Sequence, residues 1–231
     1  MNYTPPHDFK KSGELFAIKW ALAHSETSNS KFIAFDVGAN IGEYSYQLHD
    51  LSSKIPHEIF AFEPVNSTFQ KLRQNLALHP NISIHQIGLG EKEEKSFIYL
   101  SPRGSDLASV HRKDNNQMAE LITITTLDIF CKRCGINQIN FLKIDVEGNE
   151  LATLKGARSM LDTGAIKTIQ FEFGKSNVYS RVFFRDIYNY LNERNYKLFR
   201  VLQDSFEPII KYHETMEVFM TTNYVAHYNC E

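Results

Sequence analysis

The sequence Phe32-Ile-Ala-Phe-Asp-Val-Gly-Ala-Asn-Ile-Gly42 has the pattern of a strand, a tight turn and the start of a helix. Phe32 to Phe35 form an apolar run, which is typical of a parallel strand that helices cover on both faces. Asp36 ends this strand, and Gly38 and Gly42 allow a tight turn and a close approach of the backbone to a ligand. These residues predict a nucleoside-binding strand, turn and helix.

The spacing of this turn differs from the dinucleotide fingerprint, in which three glycines leave room for a pyrophosphate at a helix N-terminus. Asn40 stands in the place of the middle glycine, and an acidic residue precedes the turn. This arrangement favours a ligand without phosphates that has an amino acid end and a ribose, as S-adenosylmethionine does. The alternative is an ordinary glycine turn in which Asp36 caps the next helix.

A second acidic residue, Glu63, follows the next predicted strand, Glu58 to Phe62. A carboxylate at this position can accept hydrogen bonds from both hydroxyls of a ribose. Because NAD also carries a ribose, Glu63 indicates adenosine binding without choosing the cofactor.

The composition is that of a globular protein. The chain has 231 residues, 42% of them hydrophobic and 23% charged, which predicts one domain with a substantial core. Its formal net charge of −2 provides no global attraction for nucleic acid or an anionic membrane. We find neither a signal-peptide pattern nor an apolar run of membrane-spanning length. We therefore expect a cytoplasmic protein with no nucleic-acid partner.

Metal-binding patterns are weak. Cys131 and Cys134 fall in one short predicted helix, but no second pair exists to complete a zinc site. The nine histidines lack the spacing that places two ligands on one helical face.

Predicted strands and helices alternate along the chain, which implies an α/β fold with a doubly wound, mostly parallel sheet. The predicted parallel strands are 32–35, 58–62, 82–87, 141–145 and 166–173, and the longer helices lie near 9–23, 66–79, 151–161 and 183–191. Alternation at 197–202, 208–212 and 216–221 predicts antiparallel strands that close the sheet. We expect an N-terminal helical lid segment, 1–30, and a main domain, 31–231, separated by the Ser/Asn-rich residues 25–30.

The region between the third and fourth parallel strands is less regular. Residues 91–94 predict a turn into an edge strand at 96–100, and residues 121–125 and 128–134 predict a short strand and a short helix that Gly135 ends. The polar residues 101–120 lack periodicity and predict a long loop. Such a loop either forms part of the acceptor site or is a solvated insertion.

A polar group of residues ends the fourth and fifth parallel strands. Lys143, Asp145 and Glu147 alternate along the chain and should point to one face, as should Gln170 and Glu172. Ligands of open α/β sheets bind at the carboxyl ends of the strands, which predicts a site there. The alternative is that Asp145 and Glu147 stabilise the start of a helix and that Lys143 pairs with a carboxylate.

The segment Phe141-Leu-Lys-Ile-Asp-Val-Glu-Gly-Asn-Glu150, together with the turn at 36–42, resembles the FkbM family of S-adenosylmethionine-dependent methyltransferases. Further matches are Phe62-Glu-Pro64, Gly88-Leu-Gly90, Thr126-Leu-Asp128 and Leu154-Lys-Gly-Ala157. The resemblance covers about 32–174 and implies a class I, Rossmann-like methyltransferase fold with seven strands and an antiparallel C-terminal edge hairpin. It also implies O-methylation of a sugar, glycan or natural product.

The resemblance further implies which residues act. Asp36, Gly38, Asn40 and Gly42 would hold the methionine end of the donor, Glu63 would hold its ribose, and Asp145 would face the transferring methyl group. The expected donor-binding residues are Asp36, Gly38, Ala39, Asn40, Gly42, Glu63, Pro64, Gly88, Leu89 and Ser109. Ser109 matches the small polar position before the central loop of the family.

Methyl transfer requires alignment of an acceptor and removal of its proton. Our hypothesis is that Asp145 is the base or orients the acceptor, and that Lys143, Glu147 or Glu172 tunes it. In a variant of this hypothesis, Asp145, Glu147 and Glu172 bind Mg²⁺, which prefers oxygen ligands and lowers the pKa of an acceptor hydroxyl.

Two other functions remain open. Nucleic-acid methyltransferases that modify amino groups carry a turn with two prolines and an aromatic residue that grips a flipped base. The residues Asp145-Val-Glu-Gly148 lack both features. A nucleotide-sensing module without chemistry is the second alternative, and donor binding compared with NADH binding separates both from a dehydrogenase.

Overall fold

The parallel strands and their helices alternate as the sequence predicts. A computed structural model describes residue 9 and residues 11–25, 31–101, 104–114 and 117–229, without the side chains of residues 101 and 104–107. The strands are β1 (Phe32–Val37), β2 (His57–Phe62), β3 (Ile82–His85), β4 (Gly88–Leu89), β5 (Glu94–Ser101), β6 (Gly104–Ser109), β7 (Ala119–Thr125), β8 (Ile139–Ile144), β9 (Ile166–Phe173), β10 (Tyr196–Val201), β11 (Phe206–Ile209) and β12 (Thr222–Tyr228). The α-helices are α1 (Glu14–Ala23), α2 (Glu43–Ser52), α3 (Asn66–Asn75), α4 (Leu127–Cys134), α5 (Glu150–Lys155), α6 (Arg158–Asp162), α7 (Ser176–Ser180) and α8 (Phe184–Asn192).

The main sheet has the order β11-β10-β12-β9-β8-β1-β2-β3. Its strands from β9 to β3 run parallel, and β12 runs antiparallel to both β9 and β10. The chain leaves β1 towards β2 and later returns to β8 on the other side of β1, so the switch point of the topology lies between β1 and β8. The predicted fold class is confirmed, with β11 added beyond the seven strands that the resemblance implies.

Two apolar layers cover the faces of this sheet, because alternate residues of each strand point to opposite sides. Ala34 and Phe141 belong to the layer that includes Ile18 of α1 and Leu48 of α2. Their chain neighbours Phe35 and Leu142 belong to the opposite layer, which also contains Leu191 of α8. The buried faces of the helices therefore hold the doubly wound sheet from both sides.

A second sheet, of order β4-β7-β5-β6, occupies the region where we predicted an edge strand and a long loop. That prediction was wrong for 104–109 and 119–120, which are strands, and β5 lies inside its sheet between β7 and β6. Ala108 of β6 and Val110, the residue after β6, pack in the apolar cluster of this sheet. The sequence of β6 therefore shows little of the apolar alternation that predicts a strand. Residues 102, 103, 115 and 116 of the predicted loop lie outside the described residues.

The tail differs from its prediction at one element. The apolar alternation at 216–221 is not a strand; a short 3₁₀ helix, Glu214–Met216, precedes an irregular segment, and β12 begins at Thr222. Val218 and Met220 are 39% and 37% exposed, so their alternation reflects a surface patch rather than a sheet face.

The N-terminal helix begins later than residue 9, at Glu14, because Gly13 has a left-handed φ of 79°. A Cβ on Gly13 would lie 2.1 Å from the carbonyl oxygen of Leu202, so only glycine fits this contact. The predicted lid segment also includes residues 1–8, 10 and 26–30, which lie outside the described residues, and its role stays a prediction.

The predicted helix at 151–161 is divided into α5 and α6 near Gly156, whose Cβ would lie 1.9 Å from the carbonyl oxygen of Gly90. The predicted end of α4 at Gly135 is confirmed, since Gly135 has a φ of 68°. Among the described residues, no helix combines the length and apolar character that a bilayer-spanning segment needs.

Candidate active site

A cleft that is partly open to solvent lies at the carboxyl ends of β1, β2 and β8, with about 740 Å³ of space when the open side is included. This is the switch point of the sheet, where ligands of doubly wound folds bind. Its polar lining consists of Asn40, Glu63, Asp145, Glu147 and Asn149.

The second sheet forms an apolar wall of this cavity. Ile98 of β5, Ile122 and Ile124 of β7 and Ala108 of β6 line it, together with Val110. These residues pack as one apolar cluster around Val65, which follows β2. The wall therefore offers an apolar surface to an aromatic base.

The turn after β1 is held tightly against its neighbours. Gly38 has a φ of 84°, and a Cβ there would lie 1.8 Å from the carbonyl oxygen of Asp145. The amides of Gly38 and Ala39 donate to the carbonyl of Phe62 at 3.0 and 2.9 Å. Asn40 has a left-handed φ of 50°, which is strained for a residue with a side chain and recurs at ligand-binding turns.

Gly42 has a different function in the same turn. Gly42 has a φ of 95°, which favours glycine, and a Cβ there would lie 2.8 Å from Cδ1 of Leu72, so a larger residue would also disturb the packing of α2 against α3. Neither Gly42 nor the buried Ala39 is among the cavity-lining residues.

Glu63 is fixed by two backbone amides. Its Oε2 accepts a hydrogen bond from the amide of Asn40 at 3.1 Å, and its Oε1 accepts one from the amide of Val65 at 2.9 Å. Burial raises the pKa of Glu63 to about 7, although both amides favour the charged form. Each carboxylate oxygen retains a lone pair for a ligand hydroxyl.

Asp36 lies beneath the cavity and not on its lining, since its side chain is fully buried. Its Oδ2 accepts a hydrogen bond from the hydroxyl of Ser45 at 2.7 Å, and its Oδ1 lies 3.4 Å from Nζ of Lys143. Asp36 therefore supports the residues of the site from below and does not itself line the cavity.

Lys143 joins two carboxylates, because its Nζ also lies 3.4 Å from Oδ2 of Asp145 and 4.6 Å from the ring centroid of Tyr44. Burial alone would lower the pKa of Lys143, but the carboxylates of Asp36 and Asp145 outweigh it and raise the pKa above its ordinary value. Lys143 thus stays protonated, and the ion-pair interpretation of this residue matches the geometry.

Asp145 follows β8, and its side chain remains 36% exposed. Its amide donates to the carbonyl of Val37 at 2.9 Å, which joins the loop after β8 to the end of β1. Of the four predicted catalytic side chains, Asp145 and Glu147 line the cavity.

Two side chains hold the carboxylate of Glu147 in place. Its Oε2 lies 3.1 Å from Nζ of Lys113 and accepts a hydrogen bond from the hydroxyl of Ser176. Its φ of 52° is left-handed, and its carbonyl accepts a hydrogen bond from the hydroxyl of Ser109 at 2.6 Å. Burial raises the pKa of Glu147, and the charge of Asp145 raises it further. Ser109 itself is buried and positions Glu147, while its neighbours line the cavity.

Sequence reasoning missed Glu150 as a positioning residue. Its Oε1 accepts hydrogen bonds from the amides of Gly148 at 3.0 Å and Val146 at 3.3 Å, and its Oε2 accepts one from Asn177 Nδ2 at 3.2 Å. Burial raises the pKa of Glu150 to about 7. The sequence did contain a signal for this function, because Glu150 ends the segment Asp-Val-Glu-Gly-Asn-Glu, close to a glycine turn.

Glu172 on β9 lies opposite Asn223 of β12, outside the cavity lining. Burial raises its pKa well above the ordinary value, and the charges of Asp145 and Glu147 add to this rise. Asp145 pairs with Lys143 and Glu147 with Lys113, and Mg²⁺ binding by these carboxylates stays a prediction. The described part of the chain contains no group of three His, Cys, Asp or Glu side chains that could hold a metal ion.

The predicted donor-binding residues thus divide into two sets. The cavity lining includes Gly38, Asn40, Glu63, Pro64, Gly88 and Leu89. Asp36, Ala39, Gly42 and Ser109 are absent from that lining and support it instead. The apolar wall from the second sheet was not predicted, since its isoleucines lie in two predicted short strands, 96–100 and 121–125, to which we assigned no part in the site.

Residues 36–198 match the family described as the methyltransferase FkbM domain. The chain is 28% identical over 143 residues to Methyltransferase 1 of Beauveria bassiana, a match that covers 52% of this chain and 56% of that protein. It is also 28% identical over 159 residues to the hexuronic acid methyltransferase AglP of Haloferax volcanii, covering 69% of this chain and 60% of that protein. The chain therefore spans less than two thirds of the length of these curated relatives.

Solved structures share the fold at lower identity. The FkbM methyltransferase of Methylobacillus flagellatus KT superimposes with a TM-score of 0.52 at 19% identity, over 89% of this chain and 47% of that one. The METTL16 methyltransferase domain superimposes with a TM-score of 0.53 at 11% identity, over 94% of this chain and 67% of that one. At these identities the likeness concerns the fold alone.

Proposed function

This chain belongs to the FkbM methyltransferase family, and on that premise we propose that it transfers a methyl group from S-adenosylmethionine to a hydroxyl of a sugar, glycan or natural product. The observation that carries the proposal is one cavity that contains both the ribose-binding type of carboxylate, Glu63, and the candidate base, Asp145.

The shape of the cavity suits the three parts of the donor. Glu63 has free lone pairs for the ribose hydroxyls, and the isoleucine wall offers an apolar surface for the adenine. Gly38 and Asn40 of the turn after β1 also line the cavity, and we assign the methionine end of the donor to this turn. We assign the donor to this cavity.

When bound, S-adenosylmethionine supplies a methyl group on a positively charged sulfur, so the chemistry that remains for the protein is alignment and proton removal. Alignment of reacting groups contributes about 7–11 kcal/mol, and a positioned base typically adds about 10²–10⁴-fold in rate. Asp145 is our candidate for the base, because its partly exposed carboxylate lines the cavity.

The neighbours of Asp145 then act through it. Lys143 fixes the orientation of the Asp145 carboxylate by an ion pair. Glu147 is held by Lys113 and Ser176, so we assign it a positioning function in the cavity wall rather than proton removal. Glu172 lies on β9 outside the cavity lining, and its raised pKa favours the neutral carboxyl, so any effect of Glu172 on Asp145 is indirect.

The support for the acceptor class comes from a relative. The hexuronic acid specificity in the name of the Haloferax relative is consistent with a sugar acceptor, at 28% identity. Nucleic-acid methylation and ligand sensing without chemistry are the functions that the experiment must separate from sugar methylation.

The test is transfer of a labelled methyl group from S-adenosylmethionine to a panel of neutral sugars, uronic acids, oligosaccharides, RNA and DNA. We expect label in at least one carbohydrate and none in nucleic acid. Label confined to nucleic acid would contradict the proposed acceptor. Tight donor binding without transfer to any compound would favour a sensing module.

A further inference from the structure

Asp145 shares one face of the main sheet with a second carboxyl group, that of Glu172. Lys143 lies beside Gln170 in the register of β8 and β9, and Asp145 and Glu172 follow two residues later along each chain. The amide of Asp145 still donates to the carbonyl of Val37, so the strand pattern continues to this residue. Because side chains alternate between the two faces of a strand, Asp145 and Glu172 lie on the face that carries Lys143.

Helix α1 brings a third carboxyl group, that of Glu14, to the same face. Ile18 of α1 packs in one apolar layer with Phe141, which precedes Lys143 by two residues on β8. Glu14 lies four residues before Ile18 and therefore on the same side of the helix. Its carboxylate accepts a hydrogen bond from the hydroxyl of Ser12 at 2.6 Å. The first turn of α1 thus adds a carboxyl group to the Lys143 face.

The pKa values of the carboxyl groups around Asp145 reflect its negative charge. Burial raises the pKa of Glu14 and of Glu172, and the charge of Asp145 adds to both increases. The same two causes, burial first and Asp145 second, raise the pKa of Glu147. Burial also raises the pKa of Glu150 to about 7, with a further contribution from Asp145. A second negative charge at the position of Asp145 would meet the same four groups.

The cations that act on these carboxyl groups are already paired. Nζ of Lys143 lies 3.4 Å from the carboxylates of both Asp36 and Asp145, so one positive charge serves two negative charges. Nζ of Lys113 lies 3.1 Å from the carboxylate of Glu147. In the part of the chain that the structure describes, the cavity lining includes no lysine and no arginine. Proteins usually hold a bound carboxylate with such a cation, because burying an unpaired charge is costly.

Building on the proposed function, which brings an acceptor hydroxyl to Asp145, we propose that this site selects a sugar without a negative charge and rejects a uronic acid. The carboxylate of a uronic acid is attached to the same ring as the reacting hydroxyl, so it would enter the site close to Asp145. Like charges repel more strongly in a partly enclosed cleft than in bulk water. A neutral sugar avoids this repulsion, and its hydroxyls can donate hydrogen bonds to the carboxylates.

The test uses pairs of acceptors that have nearly the same shape and differ in charge. Each pair consists of the methyl glycoside of a hexuronic acid and its carboxamide, made for every hexose that accepts label in the panel assay. We expect kcat/KM to be at least about 10-fold higher for the carboxamide. Raising the salt concentration from about 0.02 M to about 0.5 M should reduce this ratio, because salt screens the repulsion.

Two variants locate the charge that causes the selection. Glu14→Gln keeps the size of the side chain and removes an ionisable group near Asp145, so the ratio at pH 8 should fall about 2- to 5-fold. Glu193→Gln is the matched control, since Glu193 is exposed at the end of α8, which packs in the opposite apolar layer. This control should leave the ratio as in wild type. If Glu14→Gln fails to fold, the wild-type comparison still tests the inference.

The outcomes separate this inference from the function on which it rests. Equal or faster transfer to the uronic acid than to its carboxamide would overturn the inference and leave sugar methylation standing. Transfer to the sugar carboxylate itself, detected as a base-labile methyl ester, would also overturn it. A preference for the carboxamide that salt does not change would assign the selection to shape instead of charge and contradict the inference. Donor binding with no transfer to any sugar would overturn the proposed acceptor class, and this inference with it.

Discussion

Nζ of Lys143 lies 3.4 Å from a carboxylate oxygen of the fully buried Asp36, on adjacent strands β8 and β1. The two residues are paired in the strand register, so the ion pair joins the strands at the switch point of the sheet. This relationship connects the stability of the fold with the orientation of Asp145, since the same ammonium group pairs with both carboxylates.

Replacing Lys143 by Met should destabilise the protein by about 3–5 kcal/mol, because it leaves the buried Asp36 carboxylate without its cation. The measurement is the free energy of unfolding from urea titration at pH 7.5. The double variant Lys143→Met with Asp36→Asn should recover part of that loss, since it removes both charges. Equal stability of Lys143→Met and wild type would contradict the importance of this pair.

Replacing Gly38 by Ala should be far more damaging than replacing Gly135 by Ala. Both glycines have left-handed φ angles, of 84° and 68°, but a Cβ at Gly38 would lie 1.8 Å from a backbone oxygen, whereas nothing lies within 4 Å of one at Gly135. We expect about 1–2 kcal/mol for Gly135→Ala from the backbone conformation alone, and more than about 3 kcal/mol for Gly38→Ala. Thermal unfolding of both variants measures the difference, and similar losses would contradict the close contact.

Asp145→Asn should leave donor binding near that of wild type and lower turnover by about 10²–10⁴-fold, because the amide keeps the shape of the carboxylate but cannot take the acceptor proton. Steady-state kinetics with an accepting compound, and calorimetry with the donor, give the two quantities. Glu147→Gln is the matched comparison, since Glu147 also lines the cavity but is held by Lys113 and Ser176. A larger loss of turnover in Glu147→Gln than in Asp145→Asn would contradict this assignment and indicate Glu147 as the base.

Donor affinity should depend on pH through Glu63, whose pKa burial raises to about 7. A ribose hydroxyl donates to the ionised carboxylate, so the donor binds best when Glu63 has lost its proton. The Kd for the donor should therefore rise about tenfold when the pH falls from 8 to 6. Calorimetry across this range measures it, and Glu63→Gln should show a weaker affinity with much less pH dependence. An equal pH dependence of the donor Kd in both proteins would show that a group other than Glu63 titrates.

The sequence predicted the parallel part of the fold well because its signals are local. The apolar run before Asp36 and the glycine that ends α4 both act within a few residues, so their outcome follows from backbone preferences alone. The errors lie where tertiary contacts decide. Within the predicted strand 216–221, Val218 and Met220 are exposed while Phe219 packs against the core. The polar residues at 104–109 form a strand because β5 provides their hydrogen-bonding partner.

The candidate site was predictable in its residue types but not in their arrangement. Asp36, Lys143 and Glu63 were all identified as polar residues near strand ends, yet only the structure shows that Asp36 and Lys143 neutralise each other beneath the cavity. Glu147 pairs with Lys113, which lies 34 positions earlier in the chain, and no sequence spacing predicts such a contact. The isoleucine wall could be identified only from the structure, because it depends on how the second sheet packs beside the turn after β1.

The central claim is that the cavity at the switch point binds S-adenosylmethionine through Glu63. Calorimetric titration of the wild-type protein and of Glu63→Gln with this compound at pH 8 tests it most directly. We predict binding at one site per chain in the wild type and an affinity about 10- to 100-fold weaker in the variant, since charge-assisted hydrogen bonds contribute about 1.5–3 kcal/mol. Absence of binding to the folded wild type, or equal affinity in the two proteins, would contradict the claim.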